Sequence, residues 1–277
     1  MAGDHEDGRQ ENRAVRNAQD APGTSVNPRI EADRAARRCV LLFARTPEGE
    51  ERAKSLPRCR ALFERTRDRV ASAAASLADV DLVVAGQPAS GPPSGSARFI
   101  PQRGGSFGER LLNAFNDARA LGYREVVAVS TDVPTLGWSH LAASFRALES
   151  HDVVLGRSPD GGVYLIGSRI EVGQLFRGVP WRTSGVFRRL RDNLPDDEAR
   201  GPAGILILKD VLSDVDGMSD LIALREKGSL DPEMEELLRW LLAPAPFPRD
   251  ESSRTGSSLL LPLLTDARAP PRRPLSS

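Results

Sequence analysis

The stretch Glu125–Leu136, EVVAVSTDVPTL, decides how the rest of the chain is read. Val126 to Ser130 form a short continuous run of the kind found in a strand buried on both faces. The run stops at Thr131-Asp132, and Pro134 and Gly137 mark a loop before the next helical pattern. Open α/β sheets place their ligands at the C-terminal ends of central parallel strands. Asp132 is therefore the first candidate for a group that holds a metal or a substrate. The competing reading is that Asp132 only shapes the turn before Pro134.

Outward from this strand, strand-like and helix-like patterns alternate. On the N-terminal side, Cys39–Ala44 is an apolar run followed by a polar loop to Pro57, and Arg60–Leu77 is helical by composition. Val80–Ala85 is a second strand, Gly86–Ala97 a Pro/Gly/Ser-rich loop and Ala97–Ile100 a weak third strand. Ser106-Phe107-Gly108-Glu109 fits a capping box opening an amphipathic helix, with Leu111, Phe115 and Ala118 along one face and Gly122 as its stop. On the C-terminal side, Trp138–Leu148 is helical and Asp152–Gly156 is a strand. Ser158-Pro159-Asp160-Gly161-Gly162 turns into Val163–Gly167, which predicts a hairpin. Thr183–Asn193 is a short helix, Ile205–Leu208 a strand and Met218–Lys227 a helix. This alternation predicts a mostly parallel sheet sandwiched by helices, with a late antiparallel insertion.

Composition sets the limits. The 277 residues have a net charge of zero and a 40% hydrophobic content, enough for a sizeable core but without the basic excess of a nucleic-acid or membrane-surface binder. Residues 1–37 lack aromatic side chains and mix both charges, and residues 243–277 are dominated by Pro, Ser and Arg, so both are expected to be disordered tails. A single domain over residues 38–242 remains. Cys39 and Cys59 form neither a disulfide framework nor a metal-ligand pattern. No run approaches the ~20 apolar residues of a membrane span, and no signal peptide is legible; a cytoplasmic protein is expected.

Three further loops carry chemistry-bearing residues. One is Gln102-Arg103-Gly104-Gly105, whose backbone amides could receive an anion, although Ser106 and Glu109 already satisfy some of them and the structural reading leads. After the first strand come Arg45, Arg52 and Lys54, cations where a phosphate-binding loop would lie, although neither a P-loop nor a G-x-G-x-x-G fingerprint is present. A merely solvated charged loop is the alternative. Asp214-Val215-Asp216 follows the last strand; two carboxylates two residues apart on an extended segment point the same way and can share a divalent cation. Alternatively, Asp216 caps the helix after it. The histidines form no ligand spacing, and no Ser/His/Asp arrangement is legible.

Taken in order, F-A-R-T-P, Q-R-G-G-S-F-G-E-R-L, S-T-D-V-P-T-L, V-V-L-G-R-S-P-D-G-G-V-Y-L-I-G, L-F-R-G-V-P-W-R-T and D-V-D-G-M-S-D-L resemble the motifs of one bacterial family. Its members are glycosyltransferase-A-like proteins carrying a domain of unknown function, some named as transferases associated with radical-SAM and selenium-domain proteins. The resemblance covers about Cys39 to Arg225. More distantly the layout is similar to 2-phospholactate and molybdenum-cofactor guanylyltransferases. It implies a three-layer α/β/α Rossmann-like nucleotide-diphosphosugar transferase (GT-A) fold with a mostly parallel sheet. It also implies Mg²⁺ or Mn²⁺ held by Asp132 and Asp216, with Asp214 beside them. Asp132 and Lys54 fall at catalytic positions, with Arg45, Arg52, Ser55, Asp160, Gly161, Gly162 and Trp181 on the substrate. The implied partners are a nucleotide sugar or a nucleoside triphosphate and a small-molecule acceptor, with no nucleic acid.

The implied reaction is metal-dependent glycosyl transfer from a nucleotide sugar, with nucleotidyl transfer to a phosphorylated small molecule as the alternative. The loop around Lys54 departs from the family pattern, since Leu56 follows Ser55 directly and Arg58 comes two residues later. That departure implies a third reading, nucleotide binding with weakened turnover. Lys54 is expected to face the carboxylates across a diphosphate-sized gap.

Overall fold

The computed structural model describes residues 37–87, 98–193, 204–228 and 230–243, all within one unit spanning 36–277. The expected disordered tails lie outside the described residues except for Arg37 and Ala243, as does 88–97 of the Pro/Gly/Ser-rich loop.

Among the described residues, seven strands form one sheet. The strands are β1 (Arg38–Phe43), β2 (Val80–Gly86), β3 (Arg98–Pro101), β4 (Glu125–Val129), β5 (Val153–Arg157), β6 (Val163–Ser168) and β7 (Ile205–Ile207). Their spatial order is β3-β2-β1-β4-β6-β5-β7. β6 alone runs against its neighbours β4 and β5, and every other pair is parallel. The mostly parallel sheet and its antiparallel hairpin strand are as the sequence pattern implied. Seven helices accompany it: α1 (Pro47–Ala53), α2 (Arg60–Ala75), α3 (Phe107–Ala120), α4 (Trp138–Leu148), α5 (Val186–Asn193), α6 (Met218–Lys227) and α7 (Pro232–Leu241).

The three layers follow from the period-2 geometry of the central strands. In β1, Cys39 and Leu41 point to the face covered by α3 and α5, where Leu111, Phe115 and Leu190 pack. Val40 and Leu42 point to the opposite face, against Val70 and Ala74 of α2 and Leu141 and Leu148 of α4. β4 divides in the same way, Val126 and Ala128 to the first face and Val127 and Val129 to the second. Burial of each such side chain contributes ~1.5–3 kcal/mol, so continuously apolar strands are stable only where helices cover both faces. A third cluster joins Leu56, Cys59, Leu62 and Phe63 to Val215 and to α6 and α7. It fastens the Asp214–Asp216 segment beside the start of α2.

Two helices depart from the sequence expectation. The supposed polar loop after β1 contains α1, with Thr46 as N-cap, accepting from the Gly49 amide at 2.9 Å, Pro47 in the first turn and Glu48 and Glu50 beside the positive end of the dipole. α7 starts in the same way, from Asp231 and Pro232. α1 was concealed because it is short and buries only Glu50 among its residues, whereas α7 carries a regular apolar stripe, Met234, Leu237, Leu238 and Leu241, behind an Asp-Pro start and was legible in the sequence. The capping box of α3 forms as expected. Ser106 accepts from the Glu109 amide, and Glu109 accepts from the amides of Gly105 and Ser106, which holds its carboxyl below the usual range. Among the described residues no helix is long and apolar enough to cross a membrane.

Candidate functional site

The strand order reverses direction between β1 and β4, since the chain leaves β1 toward β2 and leaves β4 for the other half of the sheet. Such a switch point opens a crevice at the C-terminal strand ends. Here that crevice is a cleft of about 760 Å³, bordered by the residues that follow β1, β3 and β4, the turn before β6, and the segment after β7.

The acidic group forms on one wall. β4 delivers Asp132, while the segment after β7 returns to lie against it, the Val215 amide donating to the Asp132 carbonyl at 2.8 Å. Carboxylate oxygens of Asp132, Asp214 and Asp216 all lie within 4.8 Å of one another. Asp216 does not cap α6: Gly217 is the N-cap, and Asp220 accepts from the amides of Asp216 and Gly217 at 2.9 and 2.7 Å. The Asp216 carboxylate is thereby left for the cleft. Asp132 likewise does more than shape a turn, since its carboxylate accepts from the Ser130 hydroxyl and from Lys54.

Lys54 arrives as the C-cap of α1 and is corrected in one respect. No diphosphate-sized gap separates it from the acids. Its ammonium donates to Asp132 Oδ2 at 2.7 Å, to Asp216 Oδ1 at 2.6 Å and to the Val215 carbonyl at 2.7 Å. Its side chain is only 8% exposed. Burial opposes its charge, yet the charges of Asp132 and Asp216 and the hydrogen bonds to them prevail and raise its pKa. The same crowding acts on Asp214, which Lys54 does not touch. Burial, then the charges of Asp132, Asp216 and Asp160, push its carboxyl up to about 6. Three hard oxygen donors, one of them with its carboxyl raised by burial and by its acidic neighbours, fit a divalent cation such as Mg²⁺ or Mn²⁺.

The remaining sequence candidates divide. Arg45, Ser55, Asp160, Gly162 and Trp181 border the cleft. Arg45 is tied to the buried Glu50 at 3.1 Å. Gly161 forms the turn beneath: its φ is +91°, and a Cβ there would fall 2.2 Å from the Ser184 carbonyl oxygen, so only glycine fits. Asp160 secures that turn by accepting from the Gly162 amide at 2.9 Å. Arg52 is the exception. It is exposed on α1, reaches toward the Glu48 carbonyl and does not border the cleft. The α1 helix explains this, because Arg52 and Lys54 leave a helix about 200° apart. Arg58 is turned away as well, stacked on Trp240.

Among the polar residues of the cleft, sequence reasoning gave no site role to Ser130, Arg110 and Arg182, and Gln102 belongs to a segment whose structural reading leads. Gln102 donates to the carbonyls of Ala44 and Ala85, bracing the ends of β1 and β2. Arg110 stood in the quoted G-E-R-L motif, which was read only for its cap. Arg182 carried no signal beyond its place after Trp181.

A family model described as "Uncharacterized protein conserved in bacteria (DUF2064)" matches residues 71–183. The resemblance read from the motifs is thereby borne out. The match includes Asp132, the Asp160–Gly162 turn and Trp181, and leaves Lys54, Asp214 and Asp216 outside it. No curated protein matches the sequence. Among solved structures, a Desulfovibrio desulfuricans G20 protein named as a nucleotide-diphospho-sugar transferase superposes with a TM-score of 0.61 at 24% identity. It covers 74% of this chain and 95% of its own. Looser similarity, at a TM-score of 0.44 and 19% identity, is found to Rv0371C of Mycobacterium tuberculosis H37Rv in complex with manganese, over 68% of this chain and 98% of that one. A 4-diphosphocytidyl-2C-methyl-D-erythritol synthase from Anaerococcus prevotii DSM 20548 reaches 0.47 at 9% identity, over 69% and 96%. The first of these shows a shared nucleotide-diphospho-sugar transferase-like fold.

Proposed function

We propose that this protein is a divalent-cation-dependent transferase that uses a nucleotide sugar as donor. The observation that carries this reading is the convergence of Asp132, Asp214 and Asp216 beside Lys54, at the switch-point edge of the sheet and on a cleft of ligand size.

Asp132, Asp214 and Asp216 would hold Mg²⁺ or Mn²⁺. When bound, the ion supplies positive charge against the diphosphate that leaves with the nucleotide. The chain's own residues prepare the place for that charge. Ser130 and Lys54 fix the Asp132 carboxylate from two sides, and the Val215 amide holds the segment carrying the other two acids against it. Lys54, held between two of these carboxylates, would present its ammonium to the phosphate oxygens beside the ion. A fixed charge of this kind stabilises developing negative charge without solvent reorganisation. The Asp160–Gly162 turn and Trp181 also border the cleft and receive the sugar and its acceptor.

One feature favours glycosyl over nucleotidyl transfer. Only Ala44, Arg45 and Thr46 lie between β1 and α1, and the Thr46 hydroxyl already takes the Gly49 amide. No Gly-rich segment is available there to wrap a triphosphate. The test is incubation with Mn²⁺ and a panel of nucleotide sugars and nucleoside triphosphates, followed by phosphorus NMR. Release of a nucleoside diphosphate from one sugar nucleotide, abolished by Asp132→Asn, is expected. Pyrophosphate release from a triphosphate would establish nucleotidyl transfer instead. Cation-dependent nucleotide binding with neither product, when water and a pool of small alcohols, phosphates and carboxylates are offered as acceptors, would identify a binding protein.

A further inference from the structure

Another part of the cleft lining is built from different chemistry. At the start of α3, the Phe107 ring packs on Phe43 and on Trp181, each at 5.5 Å between centroids, and Trp181 meets Phe176 edge-on at 5.0 Å. Gly108 allows the contact to close, since a Cβ there would lie 2.3 Å from Trp181 Nε1. The indole is therefore locked against the first turn of α3; Arg110 follows on that helix, Arg182 follows Trp181 in sequence, and both border the cleft. Phe107, Trp181 and Val186 belong to the cluster on the α3 and α5 face, whereas Leu56 and Val215, beside Lys54 and the acids, belong to the third cluster. The two arginines thus sit on segments anchored in the first cluster, and Lys54 and Asp214–Asp216 on segments anchored in the third.

Four cations border the cleft, and their states differ. Arg45 is bound to Glu50, and Lys54 to Asp132 and Asp216. Among the described residues, neither Arg110 nor Arg182 forms an ion pair. Arg110 donates to the Gly105 carbonyl at 3.2 Å and lies near Glu109, whose carboxylate is occupied with the amides of Gly105 and Ser106. Arg182 is exposed and is held at φ +66°, a left-handed conformation that costs a non-glycine residue ~1–3 kcal/mol and persists where neighbours enforce it. The enforcing contacts are the locked Trp181 before it and Thr183 after it, whose hydroxyl donates to the Pro180 carbonyl at 2.7 Å and accepts from the Gly185 amide at 3.2 Å.

From this arrangement we infer that Arg110 and Arg182 form an anion subsite for the acceptor, which therefore carries a phosphate or a carboxylate near the group that is modified. The inference rests on the transferase reading above and extends it to the acceptor's chemical class. A donor diphosphate belongs on the side where a cation offsets the carboxylates. An anion beside Arg110 and Arg182 needs no metal, because two planar guanidiniums that form no ion pair among the described residues supply the charge and the donors. Trp181 beside them offers an apolar face to the acceptor's carbon skeleton.

Three probes with one carbon skeleton separate the possibilities: glycerol 3-phosphate, glycerate and glycerol, titrated by ligand-observed NMR in the presence of Mg²⁺. The phosphate or the carboxylate probe is expected to bind, whichever the subsite fits, and glycerol is not. Arg110→Gln and Arg182→Gln should each weaken that binding at least ~10-fold, in line with loss of a charge-assisted hydrogen bond, whereas Asp132→Asn should leave it. Circular dichroism checks that the variants fold. Binding of glycerol as tight as that of the anions, no binding of any probe, no effect of the arginine variants, or loss in Asp132→Asn would each overturn the subsite. So would loss of Mg²⁺-dependent nucleoside diphosphate binding in the arginine variants, which would move both residues to the donor. Failure of the transferase reading is read separately, as absence of that nucleotide binding in the unaltered protein.

Discussion

At the scale of single residues, the account turns on how one ammonium and three carboxylates share a small space. Lys54 touches Asp132 and Asp216, while Asp214 has no cation partner among the described residues. Replacing Lys54 with Met keeps the buried stem and removes a competing charge. Lys54→Met should therefore tighten binding of Mn²⁺ alone by roughly tenfold, a modest share of the attraction between unit charges at such distances. Nucleotide binding in the presence of Mn²⁺ should weaken in the same variant. Titration followed by electron paramagnetic resonance measures the first, and calorimetry the second; weaker Mn²⁺ binding would show that Lys54 supports the ion rather than competes with it. Asp214 makes the site sensitive to pH. Its carboxyl is raised from 3.8 to about 6 in the folded protein, so the folded state holds this proton more tightly than the unfolded chain. Without divalent cation, its contribution to stability is full below pH ~4 and is lost as pH rises to about 6. The rise in Tm produced by Mn²⁺ should consequently be larger at pH 7.5 than at pH 5, and equal shifts would exclude Asp214 as a ligand.

At the scale of elements, the site exists because strand ends and turns are fixed rigidly. Gly161→Ala should lose ~1–3 kcal/mol from its backbone conformation, and more if Ser184 cannot move away from the added methyl group. Thermal unfolding should show a fall of several degrees, and an unchanged Tm would mean that the turn before β6 is freer than its contacts require. The central strands were legible in the sequence because burial on both faces leaves an uninterrupted apolar run, as in Val40–Leu42 and Val126–Val129. α3 was legible because a capping box and an apolar stripe agree. α1 escaped because it buries almost nothing, and with it went the true position of Lys54. The cleft acids Asp132, Asp214 and Asp216 follow strands and could be placed by spacing, whereas the direct contact of Lys54 with them depends on a helix of seven residues and on packing with no sequence period. Arg182 was beyond reach for the same reason, since its orientation is set by Trp181 lying on Gly108.

At the scale of the whole molecule, a chain of zero net charge gathers both carboxylates and arginines at one cleft, so local placement rather than overall charge selects the ligand. Because residues 1–36 lack aromatics and 244–277 are rich in Pro, Ser and Arg, removing both should change Tm by no more than a few degrees. A larger fall would mean that one of them is packed against the domain. The claim on which everything else depends is that the acids after β4 and β7 bind a divalent cation together with a nucleoside diphosphate. The most direct measurement is calorimetric titration of Mn²⁺ into the protein with and without each of UDP, GDP, CDP and ADP, repeated on Asp132→Asn. An amide at position 132 still accepts from Lys54 and meets Ser130, so the fold is retained while the charge is lost. One nucleotide should tighten Mn²⁺ binding at least ~10-fold, and Asp132→Asn should weaken that ternary binding by ~100-fold or more, beyond the 10–100-fold typical of losing a group outside the ligand shell. Mn²⁺ binding that no nucleotide improves, or that Asp132→Asn leaves intact, would contradict the account.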